Sequence, residues 1–322
     1  MEHYYFSGSL TREMHDRMMA LDDWEPIDVL VSQLDRNGVK TALDFKKDGL
    51  VKNLFVDSGA FSVHTGKAKL DLDEYISYIN SLDDDIEVFA QMDTIPGTFG
   101  QPKTDEDYAE SATKSWENYL YMRSKMKSPK KLTPVFHYGE SFDHLRNMLE
   151  WEDENGEHIP YIGISPANDS SQKVKNRYMG EVYDVIAKSS NPNVKTHLYG
   201  MTSLDALTKY PCYSADSISH RLQSAYNKIY TRRWGTISMS DAKRTSSTKS
   251  NLSFIRTADE YTLKEFKEFL KSYNTDIDEV RNNNAVRCVI CIGEIQKFLK
   301  ENPYKPTNRL RSKKLFDIPV RR

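Results

Sequence analysis

The chain has 322 residues, 38% of them hydrophobic and 29% charged, with a formal net charge of −2. No apolar run approaches the ~18 residues that a membrane span needs. The opening MEHYYFSGSL lacks the basic and apolar regions of a signal peptide, and three cysteines are too few for a disulfide framework, so a cytoplasmic setting without a membrane partner is expected.

Charge is unevenly spread: from Lys228 onward there are 21 Lys+Arg against 11 Asp+Glu, and before it 24 against 36. An acidic body with a basic tail suits a polyanionic partner. Short apolar runs ending in a polar or Gly-containing turn recur eight times before residue 217, at 3–7, 28–32, 53–61, 87–93, 132–139, 161–165, 195–201 and 212–216. Most are rich in β-branched and aromatic residues, as strands are. Between them, 70–82, 104–126, 142–151 and 174–188 carry helical spacing or acidic helix starts. Eight such alternations predict an α/β fold of the (β/α)8 TIM-barrel type, with an open doubly wound sheet as the alternative.

After Tyr230 the pattern changes. Residues 241–251 read as a Ser/Thr-rich loop, and 261–273 as an amphipathic helix with Leu263, Phe266, Phe269 and Leu270 in register. A second helix is expected from about Ala285 to Lys300, and 302–322, with three prolines and seven basic residues, reads as an extended arm. The expected division is a catalytic barrel over 1–231 and a helical, basic appendage over 232–322.

In such a barrel the active site lies on the loops that follow the strands. The strand ends supply Asp57-Ser58-Gly59-Ala60-Phe61, Gln91-Met92-Asp93, His137-Tyr138-Gly139-Glu140, Gly163-Ile164-Ser165, His197-Leu198-Tyr199-Gly200 and Ser214-Ala215-Asp216-Ser217. Asp57, Asp93 and Asp216 would then converge on one mouth. Convergent carboxylates suit divalent-metal binding by oxygen ligands or glycosyl transfer through a carboxylate nucleophile. Any one of them also suits a helix cap.

The order of these motifs resembles the tRNA-guanine transglycosylase superfamily. DSGAF at 57–61 resembles its DSGG-aromatic signature, and QMD at 91–93 its base-recognising Asp segment. HYGE at 137–140 stands at its Val-Gln-Gly turn, YIGIS at 161–165 at its Gly-Gly-Leu segment and LYGM at 198–201 at its Leu-Met-Gly segment, while SADS at 214–217 stands where the nucleophilic Asp belongs. The resemblance covers roughly residues 50–220 and is closest to the phage-encoded, DNA-acting branch that inserts 7-deazaguanines.

The resemblance implies Asp216 as nucleophile at C1′, Asp57 as general acid/base, and Asp93 as acceptor for N1–H and the exocyclic amine of guanine. It implies substrate contacts from Ser58, Gly59, Tyr138, Ile164 and Gly200. Backbone N–H groups at Gly139 and Gly163 would read the O6 side, and Phe61 or Tyr199 would stack on the base. His137 and His197 are placed to touch substrate or phosphate; His64 and His220 read as polar wall residues, although a histidine near Asp216 would help orient it.

The implied partners are DNA and a free 7-deazaguanine base such as 7-cyano-7-deazaguanine, in a host cytoplasm if phage-encoded, with any accessory protein unidentified. Arg232, Arg233, Lys243, Arg244, Lys249, Arg309, Arg311, Lys313 and Lys314 are the candidate phosphate contacts. No cofactor or catalytic metal is expected. The zinc signature of the tRNA enzymes is reduced to Cys288-x2-Cys291, which lacks two partners and reads as buried apolar thiols. The rival readings are a tRNA-acting transglycosylase, a metal-dependent barrel hydrolase and a non-catalytic nucleic-acid-binding barrel.

Overall fold

The computed structural model describes residues 1–166, 170–201, 203–241 and 253–303. Nine parallel strands make one sheet: β1 (His3–Ser7), β2 (Ile27–Ser32), β3 (Val51–Asp57), β4 (Val88–Ala90), β5 (Leu132–Thr133), β6 (Val135–His137), β7 (Tyr161–Ser165), β8 (Lys195–Leu198) and β9 (Ser214–Ser217). Their order is β5-β4-β3-β2-β1-β9-β8-β7-β6. The two outer strands, β5 and β6, are separated in the chain by Pro134 alone, so the sheet curls back on itself and is nearly closed. Pro134 has no N–H and interrupts the ladder, while its carbonyl accepts from Gly163 N–H of β7 at 2.7 Å. With β5 and β6 taken as one position, each strand position leads into a helix, which is compatible with a (β/α)8 barrel.

Strand periodicity sorts the side chains into two cores. Tyr5, Leu30, Phe55, Val88, Ala90 and Tyr161 pack together inside the sheet. Their alternates, among them Phe6, Val29, Leu54, Phe89, Phe136, Ile164, Leu198 and Ala215, pack outward with residues of the helices. Short polar residues start those helices. Thr104 and Asp107 form a reciprocal capping box before Asp105–Lys125, Asp71 caps Leu72–Leu82, and Ser171 caps Gln172–Lys188.

The strand expected over 53–61 ends at Asp57, because Gly59 at φ +81° turns the chain into the short helix Ala60–His64. Two helices, Arg12–Met19 and Arg36–Lys47, occupy stretches where the sequence suggested none.

Beyond β9, helix Ser219–Ala225 leads into an antiparallel hairpin of β10 (Lys228–Thr231) and β11 (Gly235–Ser238). The expected division at 231/232 falls in the turn of this hairpin. Helices Glu260–Lys271, Ile277–Asn282 and Asn284–Glu301 follow. The last packs against Arg12–Met19, Ser219–Ala225 and β10, burying Val286, Cys288, Val289, Ile290, Cys291, Ile292 and Ile295. Most of the predicted 241–251 loop and of the 302–322 arm lies outside the described residues. Among the described residues no helix is long and apolar enough to cross a membrane.

Candidate active site

Inward-facing positions at the carboxyl ends of the strands enclose a cavity of about 490 Å³, lined by Asp57, Asp93 and Asp216 together with Ser7, Phe61, His137, Ser165, Lys175, Tyr199 and Gly200. The volume lies within the ~300–1,000 Å³ typical of small-molecule sites. The three aspartates singled out in the sequence do meet, and each has a different setting.

Asp216 is buried and held by three donors. Ser7 Oγ–H donates to Oδ2 at 2.5 Å, while Gly200 N–H and His197 Nε2 reach Oδ1 at 2.8 and 3.2 Å. The other ring nitrogen of His197 meets Ser214 Oγ at 2.5 Å, and Ser214 in turn bonds the Tyr161 hydroxyl. Rings of Tyr5, Phe55, Tyr161 and Tyr199 surround His197, so its orientation is fixed on every side. This polar chain runs from inside the curled sheet to the one carboxylate and orients it.

Asp93 accepts from His137 Nε2 at 2.8 Å through Oδ2, and from Ser58 Oγ–H at 3.3 Å through Oδ1. His137 is itself clasped by Glu140, through Nδ1 at 2.9 Å and its backbone N–H at 3.0 Å. Burial alone would lower the His137 imidazolium, but the bonds to Asp93 and Glu140 outweigh it and raise it to about 10.

Asp57 has no histidine. Its carboxylate accepts from Gly59 N–H at 3.0 Å. Burial, then repulsion from Asp93 and Asp216, push its pKa from 3.8 to about 7 against the opposing backbone bonds. Asp57 therefore changes protonation near neutrality, as a general acid/base must.

The remaining expected residues divide. Phe61 stands at the mouth, 63% exposed, edge-on to Phe99 with ring centres 6.4 Å apart. Tyr199 lines the cavity, and its hydroxyl is buried without a hydrogen-bond partner among the described residues. Gly59 must be glycine: besides its positive φ, a Cβ there would sit 2.6 Å from Leu34.

Several expected base contacts lie elsewhere. Gly163 N–H is committed to Pro134, and a Cβ at 163 would stand 2.4 Å from the Tyr199 ring, so this glycine makes room for that ring and does not read a base. Ile164 points outward into the helix-facing core, as strand alternation from Gly163 requires. Tyr138 packs edge-on against Tyr178, ring centres 5.1 Å apart. Gly139 takes φ +96° and a Cβ there would meet the Tyr108 ring at 2.3 Å, so the turn requires glycine whatever its N–H contacts.

The histidines also bond within the site. His137, expected against substrate or phosphate, lines the cavity and bonds Asp93, while His197 is fully buried behind Asp216. His220 is buried edge-on to Phe6, neither ring nitrogen has a hydrogen-bond partner among the described residues, and burial holds its pKa down at about 3. The histidine that orients Asp216 is thus His197, not His220. His64 stands edge-on to Phe99.

Sequence reasoning missed Ser7 and Lys175 as parts of the site, and gave Glu140, named at a strand end, no role. Ser7 was legible, since it ends β1 and shares the inward face of Tyr5. Glu140 became relevant only through the turn at Gly139, which folds it back on His137. Lys175 reaches the cavity from the first turn of Gln172–Lys188, and no sequence signal marks which helical residues do so.

Arg232 and Arg233, expected on phosphates, are engaged within the chain. Arg232 pairs with Glu294 and Glu301, and Arg233 pairs with Glu265 and lies 5.3 Å from the Trp234 ring centre. Counting charge along the tail concealed these glutamates. Lys243, Arg244, Lys249, Arg309, Arg311, Lys313 and Lys314 lie outside the described residues.

Cys288 and Cys291 do not fit a structural zinc site. Cys291 Sγ takes the Tyr230 N–H at 3.3 Å, and burial raises its thiol to about 12. Among the described residues no three His, Cys, Asp or Glu side chains are grouped to hold a metal ion. No protein-family model matches this chain, and no curated protein matches it either.

Proposed function

We propose that the protein is a DNA-guanine transglycosylase, which exchanges guanine in DNA for a 7-deazaguanine such as the 7-cyano form. The observation that carries this reading is the unequal setting of three carboxylates around one cavity: Asp216 held by three donors, Asp57 poised near neutrality, and Asp93 backed by a histidine. Double displacement at a sugar carbon needs that division of labour.

In the first half-reaction a carboxylate oxygen of Asp216 bonds to C1′ as the C1′–N9 bond breaks, and the departing guanine takes the proton of Asp57. In the second, Asp57 accepts the N9 proton of the incoming base, N9 bonds to C1′, and Asp216 is released. Asp57 returns to its protonated form, so protons balance over the cycle. A group with a pKa of about 7 serves both steps. Ser7, Gly200 and His197 aim Asp216 at one position, while Asp93 supplies acceptors for the donor edge of a purine.

On this reading the nearly closed sheet is a (β/α)8 barrel, and the C-terminal region is an appendage whose basic arm follows the phosphates. A stacked base cannot present C1′ to the cavity, so the target nucleotide is flipped out or single-stranded. DNA is favoured over tRNA because the zinc element of the tRNA enzymes belongs to their RNA-binding part, and the thiols here do not fit it.

The test is release of labelled guanine from DNA and, in parallel, from RNA, with and without 7-cyano-7-deazaguanine. Release from DNA that requires the deaza base is expected. Release from RNA alone would move the assignment to the tRNA branch, and release from neither would overturn it.

A further inference from the structure

At the end of β6 the chain closes a tight turn whose side chains are arranged around one imidazole. Gly139, at φ +96°, bends the backbone so that Glu140 N–H returns to the His137 carbonyl at 3.2 Å. The Glu140 side chain is fully buried, and both its oxygens are spent on His137: Oε1 on the ring Nδ1 and Oε2 on the backbone N–H. The second ring nitrogen meets Asp93 Oδ2 at 2.8 Å.

Ionised carboxylates only accept hydrogen bonds. A neutral imidazole has one N–H and satisfies one of these two neighbours; the imidazolium has two and satisfies both. Burying a glutamate whose only partners among the described residues are on one histidine makes physical sense when that histidine is charged, since an unpaired buried carboxylate is costly.

We propose that the Glu140–His137–Asp93 chain is a fixed-charge clamp, in which a permanently protonated His137 acts as a positioning residue. It holds Asp93, whose Oδ1 also accepts from Ser58 Oγ–H, with its acceptor oxygens available to the paired N–H donors of a purine-like base. This inference rests on the base-exchange reading for its ligand, though the clamp itself does not.

The clamp has a second consequence. Asp57, Asp93 and Asp216 line the same cavity, and Asp57 is already destabilised as an anion by the other two. One fixed positive charge beside Asp93 offsets part of that repulsion. The charged and titratable groups facing His137 are Asp93 after β4, Glu140 on its own turn and His64 beyond β3, with Lys175, Asp57 and Asp216 around the shared cavity. Removing the imidazolium leaves the carboxylates less compensated, so Asp57 keeps its proton to higher pH.

The experiment uses the full chain labelled with 15N-histidine, with His137→Gln as the assignment control. Imidazole nitrogen shifts are followed from pH 5 to 10.5 in the wild-type protein and in Glu140→Gln. The clamp predicts a His137 ring that stays doubly protonated beyond pH 8.5, and that loses its second proton at least one pH unit earlier in Glu140→Gln. A His137 ring carrying one proton at pH 7.5 overturns it.

Equilibrium binding of free 7-cyano-7-deazaguanine is the second arm, with thermal melts confirming that each variant is folded. His137→Gln is expected to bind roughly 10- to 100-fold more weakly, the scale of a charged hydrogen bond lost. The acidic limb of its exchange-rate profile is expected to move to higher pH, a change that looser packing does not produce. Binding by His137→Gln as tight as wild type overturns the positioning role. A wild-type protein that binds no deazaguanine while His137 still holds two protons sinks the base-exchange reading and leaves the clamp standing.

Discussion

Replacing Asp57 by Asn should stabilise the protein at alkaline pH and abolish its reaction. The folded protein holds a proton on Asp57 up to about pH 7, whereas the ordinary aspartate value is 3.8. Between those values the native state binds the extra proton, so the associated stability is full below about pH 4, declines as pH rises, and is gone above about pH 7. The whole interval corresponds to about 4 kcal/mol at ~1.36 kcal/mol per pH unit. Asp57 lines an open cavity and keeps some contact with water, so roughly 2 kcal/mol is the working figure. Asn keeps an acceptor for the Gly59 N–H and carries no charge at any pH. Urea titrations should therefore show Asp57→Asn and wild type nearly equally stable near pH 3.5 and the variant more stable by roughly 2 kcal/mol near pH 8.5, a few degrees in Tm. The same variant should lose about 10²- to 10⁴-fold in exchange rate, the usual weight of an acid/base group. Parallel pH dependences in the two proteins, or a variant less stable at pH 8.5, would refute the assignment of a raised pKa.

Other perturbations read other parts of the account. Gly163→Ala drives a methyl group to within 2.4 Å of the Tyr199 ring, so it should cost about 1–3 kcal/mol in denaturant unfolding and disturb the cavity wall. Ser7→Ala removes one of three donors to Asp216 and is expected to slow exchange about 10-fold or more with the melting temperature little changed, as stopped assays on the folded variant would record. All three cysteines are buried, and burial raises Cys212 to about 11 and Cys291 to about 12, so an aromatic disulfide reagent at pH 8 should find fast-reacting thiols only after denaturant is added. A chelator should leave exchange unaltered, because no step of double displacement through Asp216 uses a metal; inhibition reversed by added divalent ion would contradict that mechanism.

The strands were legible where a period of two coincides with a clear turn. β1 and β7 have the bounds that the apolar runs suggested, while β3 stops short because Gly59 turns the chain and the apolar signal of Ala60 and Phe61 belongs to the next helix. Convergence of Asp57, Asp93 and Asp216 followed from placing each at a strand end. What single residues do there was less legible. Ile164 and Gly163 are neighbours in one motif, yet alternation sends one outward and leaves the other beside Tyr199. The histidines were ambiguous because a ring's partner depends on positions far apart in sequence: His197 lies 19 residues from Asp216 and His137 lies 44 from Asp93. Charge counting pointed to Arg232 and Arg233 without revealing Glu265, Glu294 and Glu301, which only folding brings to them.

The central claim is that Asp216 holds the sugar covalently, and trapping that species tests it most directly. Wild-type protein would be incubated with single-stranded and duplex DNA in the absence of any incoming base, quenched in denaturant, and digested for peptide mass spectrometry. The account predicts a denaturant-resistant protein–DNA adduct with the sugar attached to the peptide carrying Asp216. The adduct should be absent in Asp216→Asn and should discharge when 7-cyano-7-deazaguanine is added before the quench. Guanine release without an adduct, or an adduct on any other residue, would contradict it.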